Sequence, residues 1–293
     1  MTDRRDAAVW DSGETATAVE EAVPQTYREI RAAIPPGGEI VGDTPLDECF
    51  YRLPQRAGIG YRLARDLDVE AYSERVRRGW YRVGEFLFRP ACPACVRCRP
   101  IRVDARRFRP TKSQRRCLRR NGRAGVRVEV GRPIVNETRI RIARAHAAAK
   151  LDDYGFLAGF GGATTDLDGV DLIEGLFDAA GRHEFTREFR YYRGRNLIGF
   201  AYCDVVPPAF VGLSFYYDPE WRSLGPGTFS MLREIMAAAE AGCEFYYPGW
   251  WNAEYGPLAY KTRFRPYELL TGFPDDHVEP RWFTPEECLK PEP

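Results

Sequence analysis

Between Cys49 and Arg132 the chain carries 23 Lys and Arg against 7 Asp and Glu, a local charge of +16. Arginine and lysine are almost never fully buried without a partner. This stretch must therefore spread its cations over a surface or find acids elsewhere in the chain. The full 293 residues have a formal charge of only +1, so the remainder carries about −15. Such asymmetry points to a polyanion-binding half joined to an acidic half. Hydrophobic residues make up 44% of the chain, enough for a sizeable core and too many for wholesale disorder. At about 150 residues per domain the length suggests two domains.

No apolar run reaches the ~18 residues that a membrane span requires. The N-terminus, Met1-Thr2-Asp3-Arg4-Arg5-Asp6, lacks the apolar core of a signal peptide. A cytoplasmic location without a membrane partner is expected. There the eight cysteines are thiols or metal ligands rather than disulfides.

Residues 1–40 read as a disordered tail, broken at Ile34-Pro35-Pro36-Gly37-Gly38. Asp68 to Arg78 has a helical pattern, with Asp68 as N-cap and Gly79 as stop. Trp80 to Arg89 reads as one strand, and Ile101 to Val103 as another. Ser113 to Asn121 is a short basic helix ending before Gly122, and Val126 to Val130 alternates like a half-buried strand. A helix over Asn136 to Leu151 precedes a Gly/Asp-rich loop, Asp152 to Gly169. A hairpin is expected from Glu184–Arg193 and Asn196–Val206, then a strand Phe210–Tyr217, a helix Thr228–Ala241 and a strand Glu244–Tyr247. Domains are expected at 41–135 and 136–275, with a C-terminal tail at 276–293. The class is α+β.

Four features carry chemistry. Cys92-Pro93-Ala94-Cys95-Val96-Arg97-Cys98 spaces three thiols so that they can face one tetrahedral metal or iron–sulfur centre, with Cys49 as the fourth candidate. Packed or free thiols explain the same residues equally simply. The run from Arg106 to Asn121 is dense enough in cations to displace counterions from a nucleic acid, though an acidic peptide would also satisfy it. Arg222-Ser223-Leu224-Gly225-Pro226-Gly227-Thr228 opens a helix and has the R-x-x-G-x-G spacing of a coenzyme A pyrophosphate loop. A tight turn needing positive φ is the alternative. Tyr246-Tyr247-Pro248-Gly249-Trp250-Trp251 is an aromatic patch suited to a core or a pocket wall.

Ordered motifs across the chain resemble those of the tRNA-dependent protein aminoacyltransferases, which comprise arginyl-tRNA–protein transferases and bacterial aspartate/glutamate leucyltransferases. Arg78-Gly79-Trp80-Tyr81-Arg82-Val83-Gly84 is similar to the family's R-G-[WF]-R-R-S-G, with Val83 in place of Ser. Arg89-Pro90-Ala91-Cys92-Pro93-Ala94-Cys95 is similar to R-P-x-C-P-x-C. Phe108 to Arg116 is similar to F-x-P-S-[KR]-S-Q-[RK]-[RK]. Phe215-Tyr216-Tyr217-Asp218-Pro219 with Ser223-Leu224-Gly225 is similar to Y-Y-D-P…S-L-G, and Tyr260 to Pro266 to Y-K-x-[RQ]-[FY]-R-P.

The resemblance implies two related acetyltransferase-like (GNAT/Fem-like) α/β halves, the first basic and cysteine-containing. It implies transfer of arginine or leucine from charged tRNA to proteins beginning with Asp or Glu, which marks them for degradation. In the family's eukaryotic relatives the N-terminal cysteines hold an iron–sulfur cluster, and here only Cys49, Cys92, Cys95 and Cys98 match that set, so a cluster or zinc is expected there, while the transfer itself needs no cofactor. Within that frame Asp218 is the expected base or amine-orienting group, with Tyr217 beside it. Arg78, Lys112, Gln114 and Arg116 are expected to hold the substrate carboxylate or the tRNA end, and Lys261 and Arg263 the donor pocket and acceptor stem. Two other readings stay open: an acyl-coenzyme A N-acyltransferase using the loop at Arg222, and a non-catalytic RNA-binding protein.

Overall fold

A computed structural model describes residues 9–10, 33–49, 51, 53–83, 86–154 and 183–288. In chain order its strands are β1 (Val9–Trp10), β2 (Glu39–Asp43), β3 (Asp47–Glu48), β4 (Arg56–Ala57), β5 (Ile59–Ala64), β6 (Tyr81–Val83), β7 (Phe86–Pro90) and β8 (Arg99–Asp104). They continue with β9 (Val126–Gly131), β10 (Thr186–Arg193), β11 (Asn196–Val206), β12 (Ala209–Tyr217), β13 (Phe245–Tyr247), β14 (Trp250–Trp251), β15 (Tyr267–Leu270) and β16 (Trp282–Phe283). A large mixed sheet has the order β1-β9-β10-β11-β12-β13-β8-β15-β16, with β14 also on β8. A smaller sheet has the order β2-β5-β7-β6.

The β10–β11 hairpin forms where the sequence places it. Arg193 pairs with Asn196, and Gly194 takes the positive φ (62°) that a two-residue turn needs. Alternating side chains then sort to two faces. Phe189, Tyr191, Ala201, Cys203 and Phe210 pack against the helices Lys112–Arg123 and Pro226–Glu240. On the opposite face Val206, Ala209 and Val211 meet Tyr72 and Val76 of the helix Val69–Arg77 and Leu87 of β7. Phe200 and Tyr202 meet Ile140 and Ala143 of the helix Glu137–Tyr154.

The helix Val69–Arg77 starts on Asp68, whose carboxylate accepts from the Ala71 amide at 2.8 Å. The basic helix starts at Lys112, just before its expected beginning, because Thr111 and Gln114 form a reciprocal capping box. It also runs through Gly122 to Arg123, because Gly125 (φ 75°), not Gly122, adopts the left-handed turn. The segment Trp80–Arg89 is two antiparallel strands rather than one, with Val83 opposite Phe86. The helix after Asn136 continues to Tyr154, so Asp152 and Asp153 belong to it; the rest of the expected loop lies outside the described residues.

The class is mixed α/β. The expected boundary at 135/136 falls inside one sheet, since β8 and β9 precede it and lie among β10–β16. The C-terminal segment is not a loose tail as far as Cys288. β16 pairs with β15, and Trp282 stacks edge-on with Tyr247 at 5.6 Å. Of residues 1–40, Val9–Trp10 pairs with β9, and Ile34 is buried with its carbonyl held by Arg65; residues 1–8 and 11–32 lie outside the described residues.

Candidate active site

β12 and β13 are parallel neighbours only over Ala209–Val211 and Phe245–Tyr247. β13 stops at Pro248-Gly249, and β14 resumes on the same strand β8 that β13 already pairs with. β12 runs on to Tyr217. Beyond Val211 the two strands therefore part, and a wedge opens between them.

The root of the wedge is fixed by buried polar groups. Glu234 accepts from Ser230 Oγ and from Tyr246 OH (2.6 Å), and Ser230 also meets Tyr191 OH at 2.8 Å. Burial raises the Glu234 carboxyl above its usual range. Gly212 lies against this cluster; a Cβ there would sit 2.6 Å from Tyr246 OH and 2.8 Å from Glu234 Oε2, so only glycine fits.

Parting strands leave carbonyls without ladder partners, and such groups are costly if buried unmet. Two distant side chains meet them. Tyr81 OH donates to Leu213 O on the β12 side at 3.1 Å. Lys261 Nζ donates to Pro248 O and Trp250 O on the other side, both at 2.7 Å. The two meet at Gly249 (φ 86°), where a Cβ would lie 3.4 Å from the Tyr81 ring and 3.7 Å from Lys261 Nζ. Burial lowers the Lys261 ammonium to about 7, with Cys98 opposing the shift. Phe88, Trp250 and Tyr81 complete an aromatic wall.

The basic helix approaches the same region. Its inward stripe is Gln114, Cys117 and Asn121. Gln114 Nε2 donates to Arg263 O at 3.1 Å, directly beyond Lys261 in the chain. Asn121 accepts from Trp221 Nε1 (2.8 Å) and donates to Leu224 O (3.0 Å). Lys112, Arg115, Arg116, Arg119 and Arg123 are exposed, and the helix contains no acid. This is a cationic face tied through its buried side to both halves of the chain.

Other expected residues are placed as follows. Lys112, Arg116 and Arg263 are exposed and free to reach a ligand. Arg78 is buried and engaged internally: it bonds Glu74 and the carbonyls of Asp275 and Val278, anchoring the C-terminal segment. Gln114 and Lys261 are likewise satisfied by backbone. Asp218 caps the 3-10 turn Pro219–Leu224 by accepting from Glu220 N at 3.1 Å, and Arg141 stands 3.9 Å from its second oxygen. Asp218 thus caps a turn, while one carboxylate edge still faces a cavity. Tyr217 lies under His146, centroids 4.4 Å apart. His146, which the sequence marks only as a helix residue, is lowered to about 4 by burial and by Lys150, so the imidazole is neutral at neutral pH. His146 carries no motif that marks it, and Tyr81 stands in the Arg78–Gly84 motif at a position where the family pattern has Arg; only the parting of the strands reveals what Tyr81 does.

The glycine loop is a tight cap. Gly225 has φ 72° and Pro226 opens the helix, and a Cβ on Gly225 would lie 3.2 Å from the Arg120 guanidinium. The Arg120 guanidinium thus lies beside the start of this helix.

The cysteines gather without converging. Cys95 Sγ accepts from Gln55, Cys92 faces Gly58 O at 3.8 Å, and Cys98 accepts from Asn252 at 3.6 Å. Burial raises the Cys92 thiol and pushes Cys98 up to about 12. Among the described residues no three His, Cys, Asp or Glu side chains are arranged to hold one metal ion, and no step of the chemistry below passes through a metal or cluster. No helix among the described residues is long and apolar enough to cross a membrane.

Comparison with known proteins places these features in context. Residues 47–116 match the family described as arginine-tRNA-protein transferase, N terminus, and residues 176–271 its C terminus. An aspartate/glutamate leucyltransferase of Pseudomonas putida is 29% identical over 243 residues, covering 82% of this chain and 94% of that protein. One from Helicobacter hepaticus is 25% identical over 234 residues, covering 80% and 93%. Among solved structures, FemX aligns at a TM-score of 0.41 and 10% identity over 78% of this chain and 83% of its own. L-PGS from Bacillus licheniformis aligns at 0.40 and 14% over 53% and 45%. Neither structural likeness is close enough to bear on function.

Proposed function

The chain belongs to the arginine-tRNA-protein transferase family, and from that premise we propose that it moves leucine from charged tRNA to the N-terminal amine of proteins beginning with Asp or Glu. The joining of the two sequence halves at Gln114 supports this best: its bond to Arg263 O brings the cationic helix to the wedge. In this reading Lys112, Arg116 and Arg263 contact the phosphates of the acceptor stem. The aminoacyl end enters between β12 and β13. Arg78, Gln114, Lys261 and Tyr81 are positioning residues. The halves of the fold are acetyltransferase-like in this proposal, with the parted strands as the shared device. The setting is cytoplasmic, where charged tRNA is found, and the modified proteins are marked for degradation.

The donor ester is already activated, so the reaction needs no cofactor. The amine nitrogen attacks the ester carbonyl carbon, an amide C–N bond forms, and the ester C–O bond breaks. The incoming ammonium gives up two protons on the way to the amide: one to Asp218 before attack, and one to the terminal ribose oxygen of the tRNA, which leaves as the hydroxyl. Asp218 orients that ammonium and accepts the first proton. Positioning and stabilisation of the developing oxyanion supply most of the rate.

A single-turnover assay with labelled leucyl- and arginyl-tRNA and Asp- or Glu-starting peptides tests the proposal. Leucine transfer is expected. Transfer of arginine alone reassigns the donor, and transfer from neither overturns the reading.

A further inference from the structure

A cavity of about 450 Å³ lies between the β10–β11 turn, the start of the helix Glu137–Tyr154 and the 3-10 turn after β12. That size is typical of sites for small ligands. Arg141, Arg193 and Arg195 line one part, Asp218 and Glu220 another, and Trp221 contributes to the floor. Its charges are not neutralised internally. Among the described residues Arg193, Arg195 and Glu220 have no ion-pair partner, and Arg141 makes only the loose 3.9 Å approach to Asp218. Elsewhere arginines are fastened closely: Arg82 to Asp204 and Arg139 to Glu188, for example.

The mixture of signs narrows the ligand. A phosphate chain would meet two carboxylates in the same concavity, and a simple cation would meet three guanidiniums. A group carrying a positive and a negative charge a few bonds apart satisfies both. The N-terminal residue of a protein beginning with Asp or Glu is such a group.

We infer that this cavity is the acceptor subsite, with Arg193, Arg195 and Arg141 holding the side-chain carboxylate and Asp218 and Glu220 holding the α-ammonium. The inference rests on the aminoacyltransferase reading and deepens it. Asp218 follows Tyr217 at the end of β12, the strand whose edge bounds the wedge, so the amine would sit beside its proton acceptor. Selectivity follows from the pairing. A neutral first residue forgoes the guanidiniums, and an acetylated one forgoes the carboxylates.

The test is peptide binding by fluorescence anisotropy on the full chain without tRNA, alongside transfer kinetics. Wild type should bind an Asp-starting peptide at least tenfold tighter than its Ala-starting or acetylated counterparts. Arg193→Ala/Arg195→Ala should weaken Asp-peptide binding and raise the peptide KM at least tenfold, with tRNA affinity unchanged. Arg193→Lys/Arg195→Lys should recover part of the loss. Unchanged peptide binding in the alanine double variant overturns the inference. So does a loss of tRNA affinity without a loss of peptide affinity, which would make the cavity a phosphate site. If wild type binds the peptide selectively but transfers nothing, the transferase reading fails while the subsite stands.

Discussion

Lys261 shows how one side chain is defined by its surroundings. As sequence it is a cation in Tyr-Lys-Thr-Arg, suited to a tRNA phosphate. In the structure it is buried, with two backbone carbonyls at 2.7 Å. Lys261→Met removes both bonds and leaves buried carbonyls unmet, so a loss of about 2 kcal/mol is expected in urea unfolding. Its pH dependence has a definite sign. The folded ammonium titrates near 7 and the unfolded one near ~10.4. Between those values the unfolded chain holds a proton that the folded chain lacks, so this group makes stability rise with pH across that window. The rise should be smaller in Lys261→Met by the amount Lys261 contributes; identical slopes would show that the amine titrates normally. Gly249 makes a related point. Its φ of 86° lies in the left-handed region that a residue with a side chain adopts only under strain, while a notional Cβ would meet the Tyr81 ring at an ordinary contact distance of 3.4 Å. Gly249→Ala should cost about 1–3 kcal/mol and slow transfer, measured by thermal unfolding and single-turnover rate.

At the scale of elements the basic helix divides its work by face. Gln114, Cys117 and Asn121 hold it in place, and Lys112, Arg116 and Arg119 face outward. Arg116→Ala/Arg119→Ala should leave the unfolding midpoint unchanged and weaken tRNA binding. The slope of log affinity against log salt should fall by about 1 for each phosphate no longer neutralised. Gln114→Ala should behave differently, losing about 1 kcal/mol of stability with its cap and its hold on Arg263. Equal effects of the two variants on the salt slope would refute this division. The helix itself was legible in sequence, as were the N-cap Asp68 and the hairpin at Gly194, because each depends on neighbours in the chain. The strand pair within Trp80–Arg89 was not. Its aromatic residues suit one strand or two, and only pairing with β5 and packing on β12 decide.

For the whole molecule, the charge segregation resolves into two populations. Arg62, Arg75, Arg77 and Arg89 pair with Glu39, Asp275, Asp276 and Glu279, so the acidic C-terminal segment neutralises the first part of the basic stretch. Arg97 and Arg102 pair with Glu254 and Glu268. Among the described residues, the cations of the helix Lys112–Arg123 have no acidic partner. The small sheet is locked to the large one by Arg82 and Asp204, both wholly buried, with Thr186 bonding each. Breaking one side of such a pair leaves a buried charge. Asp204→Ala should cost about 3–5 kcal/mol in chemical unfolding. A cost below about 1 kcal/mol would mean the two sheets do not depend on that joint.

The sequence by itself determined the local elements, the mixed α/β class, the density of positive charge and the order of the family motifs. These rest on caps, alternation and spacing, which act over a few residues. Tertiary structure alone decided which cations are free, because the acids that neutralise Arg62 to Arg102 lie mostly far along the chain. It also decided that Arg78, Gln114 and Lys261 serve the scaffold, that β8 and β9 join the second half's sheet, and that Asp218 opens onto a cavity of mixed charge. Most of these outcomes depend on residues far apart in the chain, and no local pattern encodes where such partners meet.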